Sequence, residues 1–550
     1  MKLNEKWGWF LGFTAVFAVL VGFVFWGTWA TDFAPVMPDS GIVHPSDWIS
    51  RWWRGWLTNG KFVPGDLLMF MTSPYFRQEL IFAIGPFSSA LALAYFLRGR
   101  GLSWLASYGS GLLLSLSGYW FTLFSAGHGG WFVWMTYGLW PFGLLDRAIR
   151  KGKTMNWILA GATVGWAAYW QTDLWLLFMV LTGSYFIYRC IAERKFPWKG
   201  MLIAAVSMFV IGGAAFRVAI VDDLAGRDKQ IEEGQTISEK EKASGDEREK
   251  RWIFVTNWSL PPAESAEFFI PRINGDTSCP MTLSLGARYG TGVKPYTGAL
   301  GRPKDASAGN YRQHSLYVGF VTCILALVGG LIGLGSLVGF EIKQSNNQTI
   351  KQSRPDVLFF LIAAILCWLF SMGRYCEPVY RVIFSLPFGD YLRAPVKWHH
   401  LTEFCLVVLA GYGIEGLLGR LGRLGQLGRF APWIIGALVI IGAIDLARID
   451  HLYCAPVDIR EARRQNCNMQ MTFLRKADFN NPQVAAMVSQ KKIVALAQPN
   501  PEMYLVGILQ PWGKNTKPLP PMSVAAWLSI FSMIGTVGLA GYGLRRALRG

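Results

Sequence analysis

The 550-residue chain predicts an all-α polytopic membrane protein, about twelve transmembrane helices joined in part by large extracytoplasmic loops. Three observations carry that expectation. Hydrophobic residues make up 52% of the chain and charged residues only 16%, where a soluble protein carries about a quarter charged. Apolar runs recur along the whole length. The lysines and arginines behind the net charge of +18 gather at the ends of those runs and form no basic stripe or RNA-binding motif. That pattern is membrane topology and excludes nucleic acid as the expected partner.

The first apolar run, Trp9–Trp26, follows Lys2 and Lys6 like a signal peptide, but it is too long and too aromatic for one and reads as an uncleaved span. Further spans are expected near 80–97, 102–123, 131–145, 155–170, 174–188, 201–220, 316–338, 357–370, 401–418, 433–447 and 523–544. Alternate connections are short and basic: Lys2 and Lys6; Arg98 and Arg100; Arg147 to Lys153; Arg189 to Lys199; Lys343 and Lys351; Arg420 to Arg429; Arg545 to Arg549. These are placed in the cytoplasm together with both termini. The opposite, extracytoplasmic face then receives every chemically varied segment.

The chain divides into a multi-span membrane unit, 1–447, which includes the outer loops 30–79 and 221–315. A small extracytoplasmic segment, 448–522, follows, and then a last span with a basic cytoplasmic tail, 523–550. Residues 227–251 are charge-dense and read as a solvated linker or surface helix. Residues 257–276 mix Pro, acids and apolar side chains like a folded loop. The repeat-like GRLGRLGQLGRF at 419–430 lacks the strand and the Lys-Ser/Thr of a phosphate cradle and is a basic connector. Cys323, Cys367 and Cys405 lie in spans. Cys279, Cys376, Cys454 and Cys467 face a compartment that permits disulfides, and Cys454 with Cys467 is the expected pair. No Cys/His spacing suits a structural zinc site.

The loop 30–79 crowds acids, bases and tryptophans between two spans, with Asp39 and Asp47 flanking His44 in PDSGIVHPSDW. Such acids serve as general bases or simply make turns. His128 in SAGHGG, and Gln171 and Asp173 in WQTD, lie in turns on the same face, with Trp131 and Trp170 expected in the aromatic belt. Arg393 and Lys397 in LRAPVKWHH precede a span at headgroup depth, suited to a lipid phosphate or to simple snorkelling. His399 and His400 are consecutive and do not share a helix face, which argues against a two-His metal site.

The ordered series SAGHGGWFVWMTYGLWPFGLLDRAI, WQTD, AESAEFFIPRINGD, HSLYVG, FGDYLRAPVKW with GYGIEGL, and IGAIDLARIDHLY resembles the YfhO family of bacterial polytopic membrane proteins. That family is grouped with GT-C-type glycosyltransferases. The resemblance implies a GT-C-like fold in the bacterial inner membrane and an enzyme that moves a sugar from a polyprenyl-phosphate carrier to a cell-envelope acceptor (polymer, lipid or protein). It places the catalytic acid in the first outer loop, on Asp47, with Asp39 or Asp32 as alternatives. His128, Gln171, Asp173, Glu264, Arg272, Arg393 and Lys397 become substrate-binding candidates. No cofactor is required by any motif; a divalent cation is left open. Two other classes stand beside this one: a transporter or flippase of lipid-linked substrates, and a non-catalytic membrane scaffold subunit. Spans nearly free of charge, with Arg217 and Asp445 close to their ends, and the lack of a duplicated half speak against the transporter.

Overall fold

The computed structural model describes residues 3–28, 33–35, 53–58, 60, 78–125, 128, 130–170, 172–218, 247–274, 316–335, 348–386, 389, 392–454, 456–500, 503–511 and 520–549. Asp32, Asp39, His44, Asp47, Gln171 and Cys279 lie outside the described residues.

Helices form wherever the described chain meets an expected span. Helix α1 (Leu3–Val24) and a short strand β1 (Phe33–Pro35) precede α2 (Gln78–Gly99), α3 (Trp104–Ser115), α4 (Gly118–Ser125), α5 (Gly130–Gly138) and α6 (Trp140–Lys151). Then come α7 (Thr154–Ala167), α8 (Thr172–Ala192), α9 (Trp198–Val218) and a short α10 (Glu247–Val255). The later part holds α11 (Phe320–Gly335), α12 (Gln348–Ser371), α13 (Glu377–Ser385), α14 (His399–Leu421) and α15 (Ala431–Tyr453).

Among the described residues, five helical stretches are long and apolar enough to cross a membrane: Glu5–Val24, Asp173–Ala192, Trp198–Arg217, Pro395–Leu421 and Gly428–Tyr453. A sixth is gained if α12 and α13, bent by 112°, count as one. The protein is membrane-embedded. On α11 the exposed Ile324, Leu327 and Leu331 repeat at helical spacing, as a lipid-facing stripe does. Other expected spans are helices in pieces. The 102–123 stretch breaks after Ser115, and there the Gly118 N–H donates to the Tyr317 carbonyl at 3.0 Å, so a neighbouring segment satisfies backbone that the helix has released. Helices α11 and α14 touch backbone to backbone: a Cβ on Gly413 would lie 2.0 Å from the Leu325 carbonyl oxygen, and one on Gly329 2.1 Å from that of Leu409.

The all-α expectation fails beyond α15. There β2 (Pro456–Asp458), α16 (Arg460–Arg464), β3 (Cys467–Arg475), α17 (Pro482–Ser489), β4 (Ile493–Asn500) and β5 (Met503–Pro511) lead to α18 (Val524–Arg549). Strands β3, β5 and β4 form an antiparallel sheet in that order. Met469 and Met471 are buried on one face, as period-two alternation requires, and Met469 pairs with buried Leu509. Strand β2 pairs antiparallel with β1, tying residues 33–35 to the segment after α15. The Cys454–Cys467 disulfide is not formed: Cys454 ends α15, whereas Cys467 opens β3 as a free thiol, its Sγ 3.4 Å from the Gln465 carbonyl. Strand β2 and α16 separate the two cysteines along the chain.

Charge is also buried just beyond the ends of several expected spans. Just past α2, Arg100 pairs with Asp356 of α12 at 2.6 Å and with Asp146 of α6 at 3.2 Å. Arg189 of α8 pairs with Asp146 at 3.1 Å and reaches Asp356 at 3.8 Å. The hydroxyls of Tyr188 and Tyr412 donate to Asp356 at 3.1 and 3.3 Å. One network thus joins the ends of α2, α6 and α8 to the start of α12 and to α14, gathering arginines that the sequence places on the cytoplasmic face.

Candidate functional site

At the opposite ends of α8 and α14, a scaffold forms around residues 392–398. Ala394 adopts a left-handed φ of +63°, which a residue with a Cβ holds only under constraint. The constraint is visible: the Ala394 N–H donates to the Val255 carbonyl at 3.0 Å, and that of Val396 to Trp258 at 2.9 Å. Arg374 fixes the facing segment, donating through Nε to the Thr256 carbonyl at 2.9 Å and through an Nη to Asn257 Oδ1 at 2.9 Å. The 3-10 turn Pro395–Trp398 then delivers Lys397 to the first turn of α8.

There Lys397 Nζ forms an ion pair with Asp173, the two side chains 14% and 19% exposed. The carboxylate sits at a helix N-terminus, where the dipole favours it. Lys397 Nζ is 5.9 Å from the centroid of the Trp131 ring, and the His128 ring is 6.3 Å from the same indole. Trp131 is the meeting point of this site and not part of an aromatic belt: it is 2% exposed. The Trp131 N–H donates to the His128 carbonyl at 3.0 Å, a tight turn that starts α5 and carries the indole into the bundle.

Of nine expected site residues, the structure brings His128, Asp173 and Lys397 to one ring; Asp39, Asp47 and Gln171 are not among the described residues. Arg393 is exposed, its guanidinium 4.6 Å over the Phe254 ring of α10. Glu264 is buried in the 3-10 turn Pro262–Phe268, and Arg272 follows with a φ of +63°. That segment folds as expected and packs on α14 through Phe268, whose ring is 4.3 Å from that of His399. It meets α12 where Trp368 Nε1 donates to Ser265 Oγ at 2.9 Å.

Beneath Trp131 lie groups that the sequence reading missed. His400 is fully buried, with ring centroids 4.1 Å from Trp120, 4.3 Å from Tyr119 and 4.7 Å from Trp131. Glu403, fully buried one turn later, accepts a hydrogen bond from Ser117 Oγ, and its Oε2 lies 3.8 Å from His400 Nδ1. Asp450 of α15 is fully buried as well. The signal was readable: Glu403 is an acid inside the apolar run 401–418, and an ionisable side chain within a span is a functional-site candidate. His399 and His400 diverge as consecutive residues must; His399 Nε2 lies 3.2 Å from the Leu316 carbonyl. Among the described residues, no three His, Cys, Asp or Glu side chains converge to hold a metal ion.

Chemically, the site around Trp131 offers an ammonium, a carboxylate, an imidazole and an indole. An anionic ligand can exchange with Asp173 for Lys397, which frees the carboxylate to accept hydroxyl hydrogen bonds. No family model and no curated protein matches the chain. A solved structure to which it is similar is that of ArnT from Cupriavidus metallidurans in the apo state, at 13% identity and a TM-score of 0.24, covering 92% of this chain and 98% of that one. A likeness at that level fixes neither fold nor activity.

Proposed function

We propose that the chain is a GT-C-type integral membrane glycosyltransferase that moves a sugar from a polyprenyl-phosphate carrier to an extracytoplasmic acceptor of the cell envelope. One observation carries the reading. Lys397, Asp173 and His128 converge on Trp131 at the end of the bundle opposite the arginine network. A cation suits the carrier phosphate, and a carboxylate and an imidazole suit sugar hydroxyls. On this reading the membrane unit has about twelve spans in the bacterial inner membrane, with both termini cytoplasmic and the site on the outer face. Asp47, or Asp39 in its place, takes the proton of the acceptor hydroxyl as that oxygen attacks the anomeric carbon. The carrier phosphate departs with the bonding pair towards Lys397, with Arg393 alongside.

The test uses the full chain in lipid nanodiscs and a polyprenyl phosphate as the probe. Lys397→Met should weaken its binding by about tenfold or more, roughly 1.4 kcal/mol. With the sugar-loaded donor, Asp47→Asn should lower transfer by about 10²–10⁴-fold and leave probe binding intact. Equal binding to the native protein and to Lys397→Met would overturn the assignment of the phosphate site. A second reading is favoured by Glu403, His400 and Asp450, which lie buried inside spans: a transporter or flippase of lipid-linked substrates that moves protons.

A further inference from the structure

Large apolar side chains exposed together mark a contact surface, and what covers them follows from the faces they continue. Helix α12 exposes Ile362, Ile365 and Leu366 along one side, a lipid-facing stripe like that of α11. Past its end the chain bends by 112°, so α13 crosses the axis of α12 and slopes back towards it. Three pairs at i, i+4 spacing divide α13 lengthwise. Tyr380 and Phe384 are buried, the Phe384 ring 5.3 Å from that of Trp252 on α10. Glu377 and Arg381 form an ion pair at 2.9 Å, and Arg381 also reaches Glu249 of α10 at 3.3 Å. Val382, with Leu386 just past the helix end, takes the remaining side, and both are more than half exposed.

A second apolar projection stands at the same end of the bundle. The 3-10 turn Pro262–Phe268 is held on α12 by Trp368, and the Val318 N–H donates to the Phe268 carbonyl at 3.3 Å, two residues before Phe320 opens the exposed side of α11. Beyond that turn Phe269, Ile270 and Ile273 are each about half exposed, and Arg272 turns the segment with its left-handed φ of +63°. Both projections therefore continue faces that lipid covers. Both are also tied to the scaffold that carries Lys397. On the buried side of α13, Tyr380 Oη donates to the Leu392 carbonyl at 3.0 Å, and the Phe268 ring lies against that of His399.

We propose that α13 and the tip 269–273 lie in the headgroup–acyl boundary of the bilayer at the Lys397 end of the bundle. Their exposed apolar side chains enter the hydrocarbon, and Arg272 and Arg381 stand at the level of the lipid phosphates. A helix lying in that plane sinks its apolar face about 5–10 Å past the headgroup boundary, and long cationic side chains reach back to phosphate. The slope of α13 back along α12 brings Val382 and Leu386 towards the layer that α12 spans. The scaffold of residues 392–398 is then positioned from the membrane surface as well as from the bundle. This holds whatever the site around Trp131 binds or transfers.

A bimane probe attached through Val382→Cys or Ile270→Cys tests this on the full chain in nanodiscs, with Cys376→Ser as the background whose signal is subtracted. Lipids brominated high on their acyl chains should quench both probes, and aqueous iodide should not. A probe at Asn480→Cys, an exposed polar position before α17, should show the reverse. A second measurement needs no variant: a lipid with a photoreactive diazirine at the same depth should crosslink, in the native protein, to peptides covering 269–273 and 377–386. Iodide quenching at Val382→Cys and Ile270→Cys like that at Asn480→Cys would place both faces in water. Shielding from bromolipid and iodide alike would place a second copy or another protein over them. Either result, or crosslinks confined to α11 and α12, would overturn the proposal.

Discussion

Asp356 offers the sharpest test of how the bundle is held at its arginine-rich end. Its side chain is fully buried and meets Arg100 at 2.6 Å, Arg189 at 3.8 Å, and the hydroxyls of Tyr188 and Tyr412. Counting Arg100, Arg150 and Arg189 against Asp146, Asp356 and Glu193, the network balances three cations with three anions. Asp356→Leu leaves one excess positive charge in a site where Arg100 is only 9% exposed. Two charges about 4 Å apart at an effective dielectric near 20 interact by about 4 kcal/mol. Breaking a buried pair by removing one partner costs about 3–5 kcal/mol, because the survivor stays buried and unpaired. Asp356→Leu should therefore destabilise the protein by that amount in detergent unfolding. Arg100→Met combined with Asp356→Leu restores the balance and should be less destabilised than the single variant. A loss within about 1 kcal/mol for the single variant, the scale of a surface pair, would refute the reasoning, as would a double variant no better than the single one.

Gly413→Leu should destabilise the bundle by about 1–3 kcal/mol or shift α11 from α14, because its Cβ would already lie 2.0 Å from the Leu325 carbonyl oxygen. Unfolding in detergent that matches the native protein would count against that contact. In the segment after α15, the Arg460 side chain holds Asp458 below the usual carboxylate range, and hydrogen bonds from Arg464 and then Gln465 bring Glu461 down to about 2. Carboxylates depressed in the folded state stabilise it above their unfolded value of about 4 and cease to do so as pH falls through the folded value. Amide protection of residues 460–465 should accordingly be flat from neutrality to about pH 4.5 and decline towards pH 2. Glu461→Gln should remove its share of that decline, and protection unchanged down to pH 2 in the native protein would refute the assignment.

Helix content and membrane embedding were legible because apolar runs and flanking cations follow directly from burial in hydrocarbon. So was the meeting of His128, Asp173 and Lys397, since each stands at a span end on one expected face. The sheet of β3, β5 and β4 was missed because its period-two alternation, as in Met469-Gln470-Met471, is a weak signal beside twenty-residue apolar runs. The misplacement of Trp131 has a different origin. Amphipathic rings favour the membrane interface on average, but the turn at His128 aims this one inward, and only the three-dimensional path shows that. Glu403 was readable as an acid inside the apolar run 401–418, whereas Asp146 and Asp356 stand just outside the expected spans 131–145 and 357–370, where charge beside Arg147 and Arg354 reads as an ordinary solvated span end. Their partners come from distant segments: Ser117 for Glu403, Arg100 for Asp356.

Helix α8 relates these features in depth. Asp173, paired with Lys397, and Arg189, paired with Asp146, are sixteen residues apart, about 24 Å along a helix rising 1.5 Å per residue. That is somewhat less than the hydrocarbon thickness of about 30 Å, so the two polar junctions stand towards opposite ends of one span-length helix. Measured along the chain from Lys397, Glu403 is six residues on, about 9 Å if helical rise holds throughout. The Lys397–Asp173 pair and the His400–Glu403 pair therefore stand at successive levels along the bundle, and the Trp131 ring neighbours both Lys397 and His400.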